Sequence, residues 1–184
     1  MSGPSRLRVL YLTRLATPAT DRVICRTIRR HKLRRIMELG IGTCHRALRL
    51  IEIASSHSPL SGIHFTGVDL FEARSAADGP GVTLKMAHRL LKATGACVHL
   101  VPGDPFTALE RESARLGRME LIVVSGQVNG PSMARAWFYI PWLLQTGGQV
   151  LWESVLPSGR TDVRVVPREE IDRLAVASVR RRAA

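Results

Sequence analysis

The residues best suited to hold a ligand lie in the stretch MELGIGT, residues 37–43. An apolar run reaches Glu38, and Gly40 and Gly42 follow before a helix-like segment. Glycine permits a tight turn and lets a ligand approach the backbone closely. A dinucleotide site would read Gly-x-Gly-x-x-Gly, but His45 occupies the third glycine position. A carboxylate repels a pyrophosphate and attracts a cationic amino group, so Glu38 favours a ligand with a positive end.

Two further acids follow later apolar segments. Asp69 ends IHFTGVD, and Asp104 follows VPG just before Pro105. An acid at the end of the second strand of such a sheet accepts hydrogen bonds from ribose hydroxyls. Both acids can also cap a helix, and at Asp104 a cap and a ligand contact can exist together. With Glu38, these acids predict a ligand that carries a ribose and a cationic end.

The elements that position these residues alternate along the chain. Apolar, β-branched runs predict strands at 35–39, 63–70, 96–103, 119–126 and 149–155, and helical periodicity predicts helices at 43–55, 81–95, 105–117 and 132–148. Strand–helix alternation implies a parallel sheet with helices on both faces. In such a sheet, ligands bind at the carboxyl ends of the strands, which is where the glycines and acids fall.

Shorter segments flank this alternation. A helix is expected to begin at Pro18, before the first strand. After the fifth strand, DVRVV (162–166) can form one more strand and residues 168–181 one helix.

These segments together resemble the class I S-adenosylmethionine-dependent methyltransferases. MELGIGT resembles the family's first motif, GVDLFEA the second-strand motif whose acid holds the ribose, and VPGDPFTAL the segment that contacts the adenine. LIVVSG resembles the fourth strand, and IPWLLQTGGQVLWES resembles the helix, Gly-Gly turn and fifth strand. The resemblance covers residues 34–155 and implies S-adenosylmethionine as the methyl donor and S-adenosylhomocysteine as the product.

The resemblance also implies a fold and a set of site residues. The fold would be a doubly wound, Rossmann-like α/β fold with a mostly parallel sheet of order 3-2-1-4-5 and helices on both faces. The residues assigned to the cofactor are Glu38, Gly40, Gly42, Thr43, Asp69, Leu70, Asp104, Pro105 and Ser125. No catalytic residue is assigned and no metal site is expected.

Three features depart from the family pattern. Cys44 stands where the family usually has a third glycine, and Ser125 stands where many members have an acid at the end of strand four. Only a short segment follows the fifth strand, so the closing strands of the family order 3-2-1-4-5-7-6 are expected to be incomplete. Ser125, Gln127 and Asn129 are candidates for orienting the methyl acceptor.

Three functions are compatible with this pattern. The first is a methyltransferase that methylates oxygen or nitrogen of a small-molecule acceptor. The second is a catalytically inactive, methyltransferase-like interaction module, suggested by Ser125 and the short C-terminal segment. The third is an RNA-directed methyltransferase that grips phosphates with residues 22–35.

The net charge of +12 is concentrated near the start of the chain. Residues 1–50 hold twelve Lys and Arg but only Asp21 and Glu38 as acids. Such a segment can bind nucleic acid, an anionic lipid surface or an acidic partner. It can equally be a solvated helix face, because arginine outnumbers lysine 24 to 3 in the whole chain.

Length and composition predict one domain over residues 1–184. Within it we expect a basic helical extension (1–33), the Rossmann-like core (34–155) and a short tail (156–184). No apolar run approaches the roughly 18 residues of a membrane span. Three scattered cysteines favour neither disulfides nor zinc and fit a reducing cytoplasm. A homodimer could cover the aromatic helix near Trp137.

Overall fold

The computed structural model describes residues 3–128, 130–156 and 158–182. The strands are β1 (Arg35–Leu39), β2 (His64–Asp69), β3 (Cys97–Pro102), β4 (Met119–Val124), β5 (Leu144–Val155) and β6 (Thr161–Val166). The helices are α1 (Arg6–Leu10), α2 (Ala19–His31), α3 (His45–Ala54), α4 (Leu84–Lys92), α5 (Pro105–Leu116), α6 (Pro131–Ala136), α7 (Ile140–Leu143) and α8 (Arg168–Arg182). A π-helical turn, Tyr11–Leu15, continues α1.

The described strands form one sheet in the order β3-β2-β1-β4-β5-β6. The first five pair in parallel, and β6 pairs antiparallel with β5. The predicted mostly parallel sheet and its order 3-2-1-4-5 are therefore confirmed. The segment DVRVV supplies β6 beside β5, where the family order has its last strand.

Side chains alternate between the two faces of the sheet because successive residues of a strand point in opposite directions. Leu121 and Val123 of β4 pack with α2, α3 and α4, whereas Ile122 and Val124 pack with α5, α6 and α7. Each face therefore has its own apolar layer. The N-terminal helices cover one face and the later helices cover the other, as expected for a doubly wound sheet.

The prediction of one bent helix over 132–148 is wrong. Helix α6 ends at Ala136, the short α7 ends at Leu143, and β5 already begins at Leu144. Pro141 lacks the N–H that a continuous helix would need, so it starts a new turn instead. The pairing of β4 with β5 changes register between Met119 and Leu121 of β4. The residues of β5 that are left unpaired by this change contain the Gly-Gly turn.

Within the described ranges, no helix has the length and hydropathy needed to cross a bilayer.

Two tryptophans of one segment provide a test of the core. Trp137 is 2% exposed and packs 5.3 Å from the Trp152 ring, measured between centroids, whereas Trp142 is 67% exposed. We expect Trp137→Ala to lower the free energy of unfolding by about 3–5 kcal/mol through lost burial and cavity formation. Trp142→Ala, the matched control, should change it by less than about 1 kcal/mol. Chemical denaturation followed by circular dichroism measures both, and equal effects would contradict this packing.

Candidate functional site

The glycine turn lies at the carboxyl end of β1. Gly40 and Gly42 have φ angles of +87° and +53°, which favour glycine. The Gly40 N–H donates to the Val68 carbonyl at 2.8 Å, and the Gly42 N–H donates to Asp69 Oδ2 at 2.8 Å. The turn is thus hydrogen-bonded to the end of β2, which brings the two predicted motifs together.

Cys44 has a backbone conformation that favours glycine. Its φ angle is +65°, in the left-handed region, and its side chain is buried. Burial raises the pKa of the Cys44 thiol to about 12, so the thiol stays protonated. These observations support a packing role for Cys44 rather than a nucleophilic one.

Two adjoining cavities lie above the strand ends. The larger one, of about 420 Å³, is lined by Glu38, Gly40, Gly42, Thr43 and Ser125 among others. The smaller one, of about 150 Å³, is lined by Gly40, Asp69, Leu70, Asp104 and Pro105 among others. Gly40 and Gln127 line both cavities and separate them. All nine residues assigned from the sequence therefore surround these two spaces, whereas Asn129 lies outside the described residues.

The floor of the larger cavity is an ion-pair network that sequence reasoning missed. Arg46 Nε donates to Glu38 Oε1 at 2.6 Å, and Arg46 Nη1 donates to Glu153 Oε2 at 2.9 Å. Glu153 also accepts from the Thr20 hydroxyl at 2.8 Å and from the Gly126 N–H at 3.0 Å. The available signal was the acid in the otherwise apolar strand segment VLWES, which demands a buried partner.

A second ion pair extends this network to the N-terminal helix α2. Arg49 Nη1 lies 2.5 Å from Asp21 Oδ2, and the other oxygen of Asp21 lies 3.9 Å from Arg46 Nη1. Three carboxylates thus face two guanidinium groups. If every group is ionised, the cluster carries one uncompensated negative charge.

Two carboxylate oxygens of this cluster, Glu38 Oε2 and Asp21 Oδ1, are buried without a hydrogen-bond partner among the described residues. The Glu38 side chain is fully buried. Burial raises the pKa of Glu38 above its ordinary value, although Arg46 opposes the shift. Burial also opposes ionisation of Glu153, but Arg46 and the Gly126 N–H outweigh it and hold the pKa of Glu153 low. A cationic group near Glu38 Oε2 would balance the cluster.

Asp69 is occupied by donors from the protein itself. Oδ1 accepts from the Phe71 N–H and from Arg74 Nε at 2.6 Å, and Oδ2 accepts from the Gly42 N–H and from Arg74 Nη2 at 2.7 Å. Burial opposes its ionisation, but these bonds hold the pKa of Asp69 below its ordinary value. A carboxylate offers about four acceptor positions, so a ribose can bind here only if Arg74 withdraws.

Arg74 also holds the segment that follows β2. Its guanidinium donates to the Asp78 carbonyl, and its side chain fills the space over Gly81, which has no Cβ. Pro80 of this segment lines the larger cavity and Asp78 lines the smaller one. Arg74 therefore closes the segment over the glycine turn.

Asp104 caps helix α5, which was one of the two roles predicted for it, the other being a ligand contact. Oδ1 accepts from the Phe106 and Thr107 N–H groups at 3.1 and 3.2 Å, and the Ser132 hydroxyl also contacts it. Burial by itself would raise the pKa of Asp104, but hydrogen bonds from Ser132 and Thr107 outweigh burial, and the pKa lies below its ordinary value. Asp104 also lines the smaller cavity, so the cap leaves a ligand contact open.

Among the described residues, no group of three or more His, Cys, Asp or Glu side chains is placed to hold a metal ion.

Solved structures share this fold. The O-methyltransferase TomG of Streptomyces achromogenes, in complex with S-adenosylmethionine, matches with a TM-score of 0.58 and 13% identity over 100% of this chain and 81% of that one. A precorrin-6y C5,15-methyltransferase of Geobacter metallireducens matches with a TM-score of 0.52 and 15% identity, over 79% of this chain and 67% of that one.

A third structure comes from Plasmodium falciparum and is described as a protein-L-isoaspartate O-methyltransferase in complex with S-adenosylhomocysteine. It matches with a TM-score of 0.53 and 10% identity over 83% of this chain and 71% of that one. No family model matches the sequence, and no curated protein does. The chain thus has the fold of class I S-adenosylmethionine-dependent methyltransferases, which confirms the predicted resemblance at the level of the fold.

The Arg46 network gives a stability prediction. Arg46→Met leaves Glu38 and Glu153 buried without their cation, so we expect the free energy of unfolding to fall by about 3–5 kcal/mol near pH 7. Without the cation, these carboxylates bind protons more tightly in the folded variant than in its unfolded chain, so protonation stabilises the folded form. The difference in free energy of unfolding between the variant and the parent chain should therefore shrink as the pH falls towards about 5. Thermal and urea unfolding across this pH range measure both effects.

Two variants accompany the Arg46 measurement. Adding Glu38→Gln to Arg46→Met should recover part of the lost stability because it removes one stranded charge. Arg89→Met, which removes an exposed arginine of α4, should have little effect at any pH. A loss of stability in Arg46→Met that grows as the pH falls would contradict the network.

Arg74 gives a binding prediction. Arg74→Met keeps the aliphatic stem and removes the donors that fill Asp69. If a ribose uses Asp69, this variant should bind S-adenosylhomocysteine about tenfold more tightly, because the ligand no longer competes with a charged hydrogen bond. Isothermal titration calorimetry compares the variant with the parent chain. Weaker binding by the variant would show that Arg74 supports the site rather than competing for it.

Proposed function

We propose that this chain binds S-adenosylmethionine and transfers its methyl group to oxygen or nitrogen of a small-molecule acceptor. The observation that carries the proposal is the pair of cavities at the strand ends, with an unpartnered, buried Glu38 oxygen beside one and Asp69 beside the other. A sulfonium ligand with an ammonium group and a ribose has the chemistry that these two acids require. The fold shared with the S-adenosylmethionine complex of TomG supports the same assignment.

The two cavities suggest which part of the ligand would lie in each. The amino-acid end would lie in the larger cavity, which Gly42 lines and where Glu38 Oε2 lacks a hydrogen-bond partner among the described residues. The ribose and adenine would lie in the smaller cavity, between Asp69 and Asp104. When bound, S-adenosylmethionine supplies an electrophilic methyl group for an in-line displacement.

The residues around the larger cavity would position the acceptor. Ser125 is buried where an acid would stand in many relatives of this fold, and its hydroxyl contacts the Gln127 N–H at 3.5 Å. His45 lines the same cavity, with Nδ1 3.4 Å from the Thr43 hydroxyl. The main contribution of these residues to catalysis would be to position the methyl acceptor. Where that molecule must lose a proton, His45 is the candidate general base.

A specific observation favours a second function, that of an inactive interaction module. All four acceptor positions of Asp69 are used by the protein, so this chain would keep the fold while failing to hold a ribose. The same titration distinguishes the two functions. Cytoplasmic location, a homodimer and an RNA acceptor stay predictions.

The deciding experiment is calorimetric titration with S-adenosylmethionine and S-adenosylhomocysteine. In the Arg74→Met background, adding Asp69→Ala should abolish binding without stranding a cation, because Arg74 is already absent. Glu169→Ala on α8, which lines neither cavity, should leave binding unchanged. Undiminished affinity of the Asp69→Ala/Arg74→Met variant would refute the ribose site. No binding by any folded variant would favour the interaction module.

A further inference from the structure

The first helical segment presents an apolar stripe to solvent. Arg6–Leu10 and the turn Tyr11–Leu15 bury Val9 and Leu12 against the protein. The opposite side carries Leu7, Leu10, Tyr11 and Leu15, which are between 37% and 79% exposed. We call these four residues the N-terminal stripe. Their spacing places them along one side of a helix, so they form a patch rather than scattered contacts.

Beside this stripe lies a groove rich in arginine. Arg14, Arg26, Arg29 and Arg30, here called the arginine groove, line an open cavity of about 690 Å³ between α2 and the strands β5 and β6. His31 and the half-exposed Val165 also line it. No carboxylate belongs to the described residues that line this cavity. An anionic ligand would therefore meet several guanidinium groups and no opposing charge.

The stripe and the groove are continuous. Arg14 lies on the helical turn that carries Leu15, four residues after Leu10, and it lines the groove. Arg22 Nη1 donates to the Arg14 carbonyl at 3.1 Å and ties this turn to α2. Exposed leucines thus adjoin exposed arginines on one side of the molecule.

We propose that this side of the molecule docks on an anionic phospholipid surface. The leucines and Tyr11 of the stripe would enter the boundary between headgroups and acyl chains, and the arginine groove would contact lipid phosphates. An interfacial helix with leucines on one side and basic residues beside it binds by this combination of buried apolar area and charge. The proposal is independent of the proposed methyl transfer.

A nucleic acid explains only half of this surface. RNA phosphates would suit the arginines, but they leave the leucines of the stripe exposed. Among the described residues that line the groove, none is Phe, Tyr or Trp, and His31 is the one ring on which a base could stack. The lipid surface is the partner that accounts for both the apolar and the basic residues.

Vesicle cosedimentation tests the proposal with the full chain. We expect binding to vesicles of phosphatidylcholine mixed with phosphatidylglycerol and little binding to phosphatidylcholine alone. Arg26→Gln/Arg29→Gln/Arg30→Gln should weaken binding roughly a hundredfold, since each basic residue contributes about fivefold near such a surface. Leu7→Ser/Leu10→Ser/Leu15→Ser should lose most binding although its net charge is unchanged.

Matched controls and a second readout keep the test sharp. Val176→Ser/Val179→Ser removes exposed apolar residues of α8, and Arg115→Gln removes an exposed arginine of α5; both should bind like the parent chain. Circular dichroism checks that each variant is folded. A Leu10→Trp reporter should shift its emission to the blue when anionic vesicles are added.

Three results would overturn the proposal. One is a folded parent chain that binds neither vesicle. Another is vesicle binding that the leucine substitutions leave unchanged. The third is salt-sensitive binding to a single-stranded RNA oligonucleotide, retained by the leucine variant, without vesicle binding.

Discussion

The arrangement of this molecule depends on one largely buried guanidinium group, that of Arg46, whose side chain is 14% exposed. It joins Glu38 of β1 to Glu153 of β5, and Glu153 in turn accepts from Thr20 of α2. Central strands, the helix after the glycine turn and the N-terminal helix therefore meet at one point. Burial and nearby acids act in opposite directions on Arg46, and the acids prevail and raise its pKa. When Glu38 is ionised the cluster is short of one positive charge, although burial raises the pKa of Glu38 and opposes that state. A cationic ligand above the cluster would supply the missing charge.

The second constraint is the competition at Asp69. The Gly42 N–H and Arg74 both bind the carboxylate that a ribose would need. The same arginine holds the segment through Pro80 over the larger cavity. Ligand entry would thus be coupled to the position of Arg74, because one side chain controls both the acceptor and the cover. A fold shared with methyltransferases at 10–15% identity leaves room for such a difference.

The two proposed activities use different parts of the chain. Cofactor binding would use strand ends inside the molecule, whereas lipid docking would use the exposed sides of α1 and α2. The Thr17–Pro18 link between these helices also lines the larger cavity, so the two regions are neighbours. An acceptor that partitions into a membrane would be a natural first choice for an activity screen.

The local sequence pattern determined the secondary-structure elements and the edge of the sheet that carries the candidate site. Alternating apolar runs predicted the strands and their parallel sheet, and the resemblance to class I methyltransferases implied the strand order. The glycines and acids were correctly placed at one edge because parallel strands share their carboxyl ends. Tertiary structure decided what local pattern cannot encode: the partners of Glu38, the occupation of Asp69 by Arg74 and the early start of β5 at Leu144. Each depends on residues far apart in sequence or on a strand neighbour. Long side chains such as arginine find their partners only after the sheet has brought those residues within hydrogen-bond distance.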